Sequence, residues 1–407
     1  MRVVVTTIPG LGHFHPMVPL LRSLAEAGHD VHLAVPGAFL PYVSSAGFAG
    51  SAVGPDWLES DIEAVVPGFL DLDSEEQHRA WLRLARRFAP DLEDFVTARG
   101  ADVLIHDHAE LAAWVVGERL GIPNVPFAMT ARVLEPTSIR LMGMADDYDR
   151  FLVAAGLPAG ATSGRATRWL YIDALPPGLT RSLLSTGPTV RHVRYASDDR
   201  GGGHEVPAWL ARRGDARPLV YVTLGTIFNR RPELLATLAR GAARLDVDVL
   251  VTVGPDRSTD LGPLPPNVRV ERYVPQSLIY PALSAVICHG GFGTVFGALS
   301  HGIPLVCAPM SADQPLNAGL ATGSGAAVNL ARTPPEGRIF PALRPGEPSE
   351  AEVTEALSTV LTVPGHRDRA RALAREIAAQ PPPAEVAALV ERVVATGAPI
   401  TAETARR

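Results

Sequence analysis

Short runs of β-branched and apolar residues, each delivering the chain into a glycine-rich turn and then a helix-like stretch, recur in two successive series along this sequence. Residues 2–8 (RVVVTTI) carry no polar alternation, which is the pattern of a parallel strand buried on both faces. Pro9-Gly10-Leu11-Gly12-His13-Phe14-His15 follows as a loop; Pro16 then opens a helix at a favoured first-turn position, and Gly28 closes it. Further strands are expected over 30–35, 102–106 and 124–129, with a helix from about Leu111 to Leu120. Residues 56–90 and 132–180 are less regular and rich in large apolar side chains such as Trp57, Phe69, Trp81, Tyr148 and Trp169. These line a hydrophobic cleft or form satellite core clusters.

Between about 196 and 217 the periodicity stops in a polar, glycine-rich stretch, the pattern of an interdomain linker. Strands expected at 219–224, 248–253, 268–273, 285–288 and 304–308 then alternate with helix-like runs such as 231–244. Two amphipathic segments, around 366–379 and 384–396, end the chain on either side of Pro381-Pro382-Pro383. The class is α/β: two doubly wound domains that bind ligands near the carboxyl ends of their strands. The expected bounds are 1–200, a linker over 201–217, a second domain over 218–365 and terminal helices over 366–407.

Composition narrows the chemistry. The chain has 407 residues and no lysine, so all 37 of its basic residues are arginines. That excludes Schiff-base and pyridoxal enzymes, P-loop nucleotide hydrolysis and kinase chemistry that depend on a lysine. A formal net charge of −6 argues against nucleic acid or an anionic membrane as partner. Cys288 and Cys307 are the two cysteines; both sit in apolar strand contexts, which suits small core residues and a reducing, cytoplasmic compartment. The N-terminal stretch reads as a first strand rather than a signal peptide, and no stretch has the apolar length of a membrane helix.

An anionic ligand must therefore be held by local donors. The strand at 285–288 delivers His289-Gly290-Gly291-Phe292-Gly293-Thr294 into a helix, so that backbone N–H groups can form an anion site without lysine. The glycines alone would also fit a tight packing turn, but His289 and Thr294 bracket them with side-chain donors. Thr226, after the strand at 219–224, offers a second hydroxyl. Asp313-Gln314 leaves another strand end and suits bidentate bonding to a sugar diol; equally, Asp313 can cap the next helix.

His13, just after Gly12 at the end of the first strand, is placed to serve as a base, and Asp107 at the end of strand 102–106 can orient it. His13 with His15, or His106 with His108, have spacing that metal ligands can use, but no matching carboxylate or cysteine cluster accompanies them. Asp71 with Asp73, and Asp246 with Asp248, read as solvated surface rather than as a metal–diphosphate site.

In order, the Gly12-His13 loop, Asp107, Tyr273-Val274-Pro275-Gln276, the His289 to Thr294 segment and Asp313-Gln314 resemble the GT-B glycosyltransferases of the UDP-glucuronosyl/UDP-glucosyl transferase family. The resemblance spans essentially the whole chain. It is strongest to bacterial members that decorate macrolides, aromatic polyketides and enediynes. It implies two Rossmann-like domains facing across a cleft, with the C-terminal helices crossing back to the first. His13 is then the general base and Asp107 its partner, while Tyr273, Val274 and Gln276 hold the nucleobase and ribose. His289, Gly291, Gly293 and Thr294 cradle the diphosphate, and Asp313 and Gln314 hold the donor sugar. The expected partners are a thymidine or uridine diphosphate sugar as co-substrate and a small hydrophobic acceptor, with no metal or other cofactor; a homodimer is compatible with the reading. The stretch 333–349 is longer than the usual connection, and Tyr273 stands where many relatives carry Trp. Two rival readings fit the sequence less well. A nicotinamide oxidoreductase needs a glycine where His15 stands and an acid after strand two, which ends in Val35-Pro36. A non-catalytic nucleotide-sugar binder would not need His13 and Asp107.

Overall fold

The computed structural model describes residues 1–407 apart from 70, 71, 73, 130–138, 140–142, 181–186, 197, 200–204, 214–216, 226–230, 255–259, 335–340, 345, 402, 403 and 405–407. The chain forms two compact units, one of Met1–Ala196 with Gln380–Arg407 and the other of Ser197–Ala379.

The first unit is built on a sheet of seven parallel strands: β1 (Arg2–Thr6), β2 (Asp30–Val35), β3 (Ala49–Ala52), β4 (Val103–Asp107), β5 (Asn124–Ala128), β6 (Tyr171–Asp173) and β7 (Val190–His192), in the order β3-β2-β1-β4-β5-β6-β7. β4 and β5 are buried throughout, which is why their sequences are mostly apolar. The second unit has six parallel strands, β8 (Leu219–Thr223), β9 (Asp248–Thr252), β10 (Val268–Glu271), β11 (Leu283–Cys288), β12 (Leu305–Cys307) and β13 (Ala327–Asn329), in the order β10-β9-β8-β11-β12-β13. In each sheet the order reverses beside one strand pair, β1/β4 and β8/β11. Loops on the two sides of such a pair part in opposite directions, opening a crevice at the carboxyl ends of the strands.

Several elements differ from the sequence reading. The loop after β1 contains one helical turn, Leu11–Phe14, and the following helix is Val18–Glu26, with Gly28 at φ +85° beyond its end. β4 reaches Asp107, so that residue is the last of its strand. Much of 56–90 lies in a long helix, Ser74–Arg99. The short strands β3, β6, β7 and β13 were not expected. Unit boundaries also shift. The second unit begins at residue 197, ahead of the expected linker, because the Asp199 carboxylate accepts from the Ser277 backbone N–H and hydroxyl. Helix Pro364–Ala378 belongs to this unit and packs on helix Phe292–Ser300; its Ala370, Leu373 and Ile377 are buried. Helix Pro383–Thr396 belongs to the first unit, where Val386, Val390 and Val393 are buried as it packs on helix Val18–Glu26. Among the described residues no helix is long and apolar enough to cross a membrane.

Candidate functional site

In the first unit β1 and β4 end side by side, Thr6 pairing with His106, so the loop after β1 starts next to Asp107. Asp107 is fully buried, and a buried carboxylate persists only where donors compensate its lost hydration. It has them: Ala109 N–H donates to Oδ1 at 2.9 Å and Ile8 N–H to Oδ2 at 3.3 Å. The Leu11–Phe14 turn brings His13 Nδ1 to 2.7 Å from the same Oδ2. Burial favours the neutral acid, but the His13 imidazolium and these donors outweigh it and hold the Asp107 carboxyl well below the usual carboxylate range.

The other ring nitrogen meets a residue the sequence reading did not select. Glu59 Oε1 lies 3.3 Å from His13 Nε2. Burial by itself lowers the basicity of His13; the carboxylates of Asp107 and Glu59 reverse that and raise its pKa well above the ordinary histidine value. Glu59 lies within the stretch that read as irregular, and no periodicity links it to His13. Gly12 is exposed, with open space where a side chain would stand.

His106 and His108 flank Asp107. His106 points its Nδ1 at the Asp107 carbonyl, at 2.8 Å, and burial pushes its pKa down to about 4. His108 Nδ1 is 3.2 Å from Asp107 Oδ1. Among the described residues no group of three or more His, Cys, Asp or Glu is placed to hold a metal ion. Asp246 is exposed and Asp248 pairs with Arg213; Asp71 and Asp73 lie outside the described residues.

In the second unit β8 and β11 end side by side, Thr223 pairing with Cys288. His289 follows and is buried between two glycines. A Cβ on Gly225 would stand 2.6 Å from His289 Nε2, and one on Gly291 2.3 Å from the same atom. Gly225, at φ +75°, also needs a conformation that side chains disfavour. Burial pushes the His289 pKa down to about 4 against a backbone contact to Thr223, so the ring is neutral at neutral pH, and its Nδ1 is buried without a side-chain or backbone hydrogen bond among the described residues. Gly291 caps helix Phe292–Ser300, whose first N–H groups have no partner within the helix. Gly293 has open space where a Cβ would stand. These features gather donors at a helix N-terminus, an arrangement suited to a diphosphate.

The remaining expected residues gather around this turn. Thr294 is buried, and its hydroxyl accepts from Gln276 Nε2 at 3.1 Å. Gln276 Oε1 accepts from the Tyr280 hydroxyl at 2.6 Å, so its side chain links Thr294 to Tyr280. The Tyr273 hydroxyl donates to the Asp199 carbonyl at 3.4 Å, and Val274 is buried beside it in the chain. Asp313 precedes helix Gln314–Gly323 but makes no side-chain cap; its Oδ2 instead accepts from Asn317 Nδ2 at 2.7 Å. The same Asn317 nitrogen donates to the Gly290 carbonyl at 3.1 Å and so ties the glycine turn to the next strand–helix junction. Gln314 folds back, its Oε1 accepting from Met310 N–H at 3.0 Å and from Ser311 N–H at 3.3 Å. Thr226 lies outside the described residues. Neither Asn317 nor Asp199 was selected from the sequence. Asn317 stands one helical turn after Asp313, a spacing that brings side chains together and could have flagged it.

Comparison with known proteins gives a consistent picture. Residues 236–393 match the family described as "Erythromycin biosynthesis protein CIII-like, C-terminal domain". The chain is 32% identical to an L-demethylnoviosyl transferase of Streptomyces niveus over 95% of its own length and 97% of the relative's. It is 30% identical to a 4'-demethylrebeccamycin synthase of Lentzea aerocolonigenes over 97% and 99%. Among solved structures it is similar to the spinosyn rhamnosyltransferase SpnG complexed with thymidine diphosphate, with TM-score 0.75, 26% identity, and 96% and 100% of the two chains covered. SpnG complexed with spinosyn aglycone gives TM-score 0.76 at the same identity and coverage.

Proposed function

This chain belongs to the bacterial GT-B glycosyltransferases of natural-product pathways, and on that premise we propose that it transfers a sugar by single displacement with His13 as general base. It is a glycosyltransferase, which sets aside the oxidoreductase and the non-catalytic binder. The donor in this reading is a thymidine or uridine diphosphate sugar, and the acceptor a small, largely apolar molecule with a free hydroxyl. The thymidine diphosphate and aglycone complexes of SpnG support those two classes.

As the acceptor oxygen forms its bond to the anomeric carbon, its proton passes to His13 Nε2 and the anomeric carbon–phosphate oxygen bond breaks. The bonding pair leaves with the diphosphate, and the anomeric configuration inverts. Asp107 fixes the ring through Nδ1 and stabilises the imidazolium that results. Charge on the leaving diphosphate is met by the helix N-terminus at 291–295 and by His289, and the reading requires no metal.

One observation carries the assignment: a fully buried carboxylate at the end of β4 stands 2.7 Å from the ring of His13, on the loop after β1, where the sheet's strand order reverses. Substitution tests it. His13→Ala and Asp107→Asn should each lower kcat by about 10²- to 10⁴-fold. Binding of thymidine diphosphate, measured by calorimetry, should stay within about twofold. Loss of nucleotide binding together with activity would remove His13 from the role of base.

A further inference from the structure

Glu59 has no role in the mechanism above, yet it occupies the ring atom that the mechanism uses. With Asp107 Oδ2 at 2.7 Å from Nδ1 and Glu59 Oε1 at 3.3 Å from Nε2, both nitrogens of His13 face carboxylates. The position is built. A Cβ on Gly10 would stand 1.8 Å from Glu59 Oε2 and 2.9 Å from its Cδ, so residue 10 must lack a side chain for the carboxylate to lie there. The Glu59 backbone N–H donates to the Pro9 carbonyl at 3.0 Å and pins this segment to the loop that carries His13. Glu59 is buried, its Oε2 has no hydrogen-bond partner among the described residues, and its ion pair is with His13 alone among them. A buried carboxylate with so few partners depends on the charge of the ring, and it loses its hold on Nε2 when the ring gives up that proton.

We propose that Glu59 is a positioning residue for His13: without acceptor its carboxylate holds the ring through Nε2, and the acceptor hydroxyl takes that place as it binds. This rests on His13 being the general base. The exchange gives two protonation regimes. In the free enzyme the charged groups facing the ring are Asp107 from β4 and Glu59 from the Glu59–Ala64 turn, with His108 beyond Asp107; the two carboxylates keep the ring protonated and inactive as a base. Once the hydroxyl replaces Glu59, one of the two carboxylates is gone, so the partly exposed ring releases its Nε2 proton to solvent more readily and that nitrogen is free to accept from the hydroxyl.

Glu59→Gln keeps the shape and removes the charge, and Glu59→Asp keeps the charge at a shorter reach. In the full chain without substrates, NMR titration of the His13 ring should show its pKa about 1 unit lower in Glu59→Gln. Glu59→Asp should fall between that variant and the parent. The acid limb of kcat/KM for acceptor should move down by the same amount. The limb of kcat, taken at saturating acceptor, should move less. A side chain that only supports the loop would lower the rate equally at every pH and leave both limbs in place. An unchanged His13 titration in Glu59→Gln overturns the proposal. A shifted titration with both limbs unmoved instead overturns His13 as the base. If Glu59→Gln fails to fold, Glu59→Asp carries the same titration test: its His13 pKa must fall below the parent's, and an equal value overturns the proposal.

Discussion

At the scale of single residues, the proposed donor site depends on side chains that are missing. His289 can occupy its place only because Gly225 and Gly291 leave room on either side of the ring. Gly291 has φ −63°, which alanine adopts freely, so Gly291→Ala tests the steric argument without straining the backbone. Its methyl would stand 2.3 Å from His289 Nε2, and the ring must swing away. Losing one hydrogen bond to a charged diphosphate costs about 1.5–3 kcal/mol, so affinity for thymidine diphosphate should fall roughly 10- to 150-fold while the circular dichroism spectrum stays unchanged. An unaltered Kd in calorimetry removes His289 from the cradle. The bracket of His and Thr around the glycines made this turn readable in the sequence, because a strand, a glycine run and a helix start are local signals. Glu59 was not readable. Its pairing with His13 arises from tertiary placement, and a lone Glu in an irregular stretch is most simply a solvated residue.

At the scale of elements, the two strand–helix junctions of the proposed donor site are held together by Asn317. It is fully buried on helix Gln314–Gly323 and donates both to the Gly290 carbonyl and to Asp313. Asn317→Ala leaves a buried carbonyl and a carboxylate short of a donor, at a cost of about 1–3 kcal/mol. For a unit of this size that lowers Tm by roughly 2–12 °C. Thermal melts should show the loss, and KM for the donor should rise because Asp313 and the glycine turn are no longer tied. A melt that matches the parent's would show that the network is idle. The central strands of both sheets were legible because burial on two faces forces continuous apolar sequence. β6, β7 and β13 have three residues each, too few for any period to register, and they exist because a neighbouring strand offers them hydrogen bonds. Helix Ser74–Arg99 escaped for a different reason. Pro90 lies inside it, and proline in a helical pattern normally signals an end.

At the scale of the whole molecule, the chain leaves its first unit after Ala196 and returns to it at Gln380. The polar stretch at the first crossing was legible as a break in periodicity. From the residues themselves the return was readable only as a proline-rich joint between two helices, since amphipathic helices on either side carry no mark of the sheet they cover; the crossing back was implied by the family resemblance. Closure of the first unit therefore depends on its last helix. Pro383–Thr396 packs on Val18–Glu26, the helix that follows the His13 loop, and His29 Nε2 lies 2.8 Å from Glu391 Oε1. The Arg194 N–H donates to the Pro381 carbonyl at 2.8 Å, which closes the returning chain against the end of the same unit. Val390 is fully buried on this helix, so Val390→Ala removes two methyl carbons from a close-packed contact, at a cost on the order of 2 kcal/mol. Because the contact lies within one unit, the cost should fall there. Hydrogen exchange on the full chain should speed up for peptides covering 18–26 and 383–396, while β8 and β11 exchange at the parent rate. The unit carrying His13 would then open more often, so kcat should fall at elevated temperature before affinity for thymidine diphosphate does. Equal loss of protection in both units would mean that the two fold as one cooperative body and that the terminal helix stabilises the entire chain.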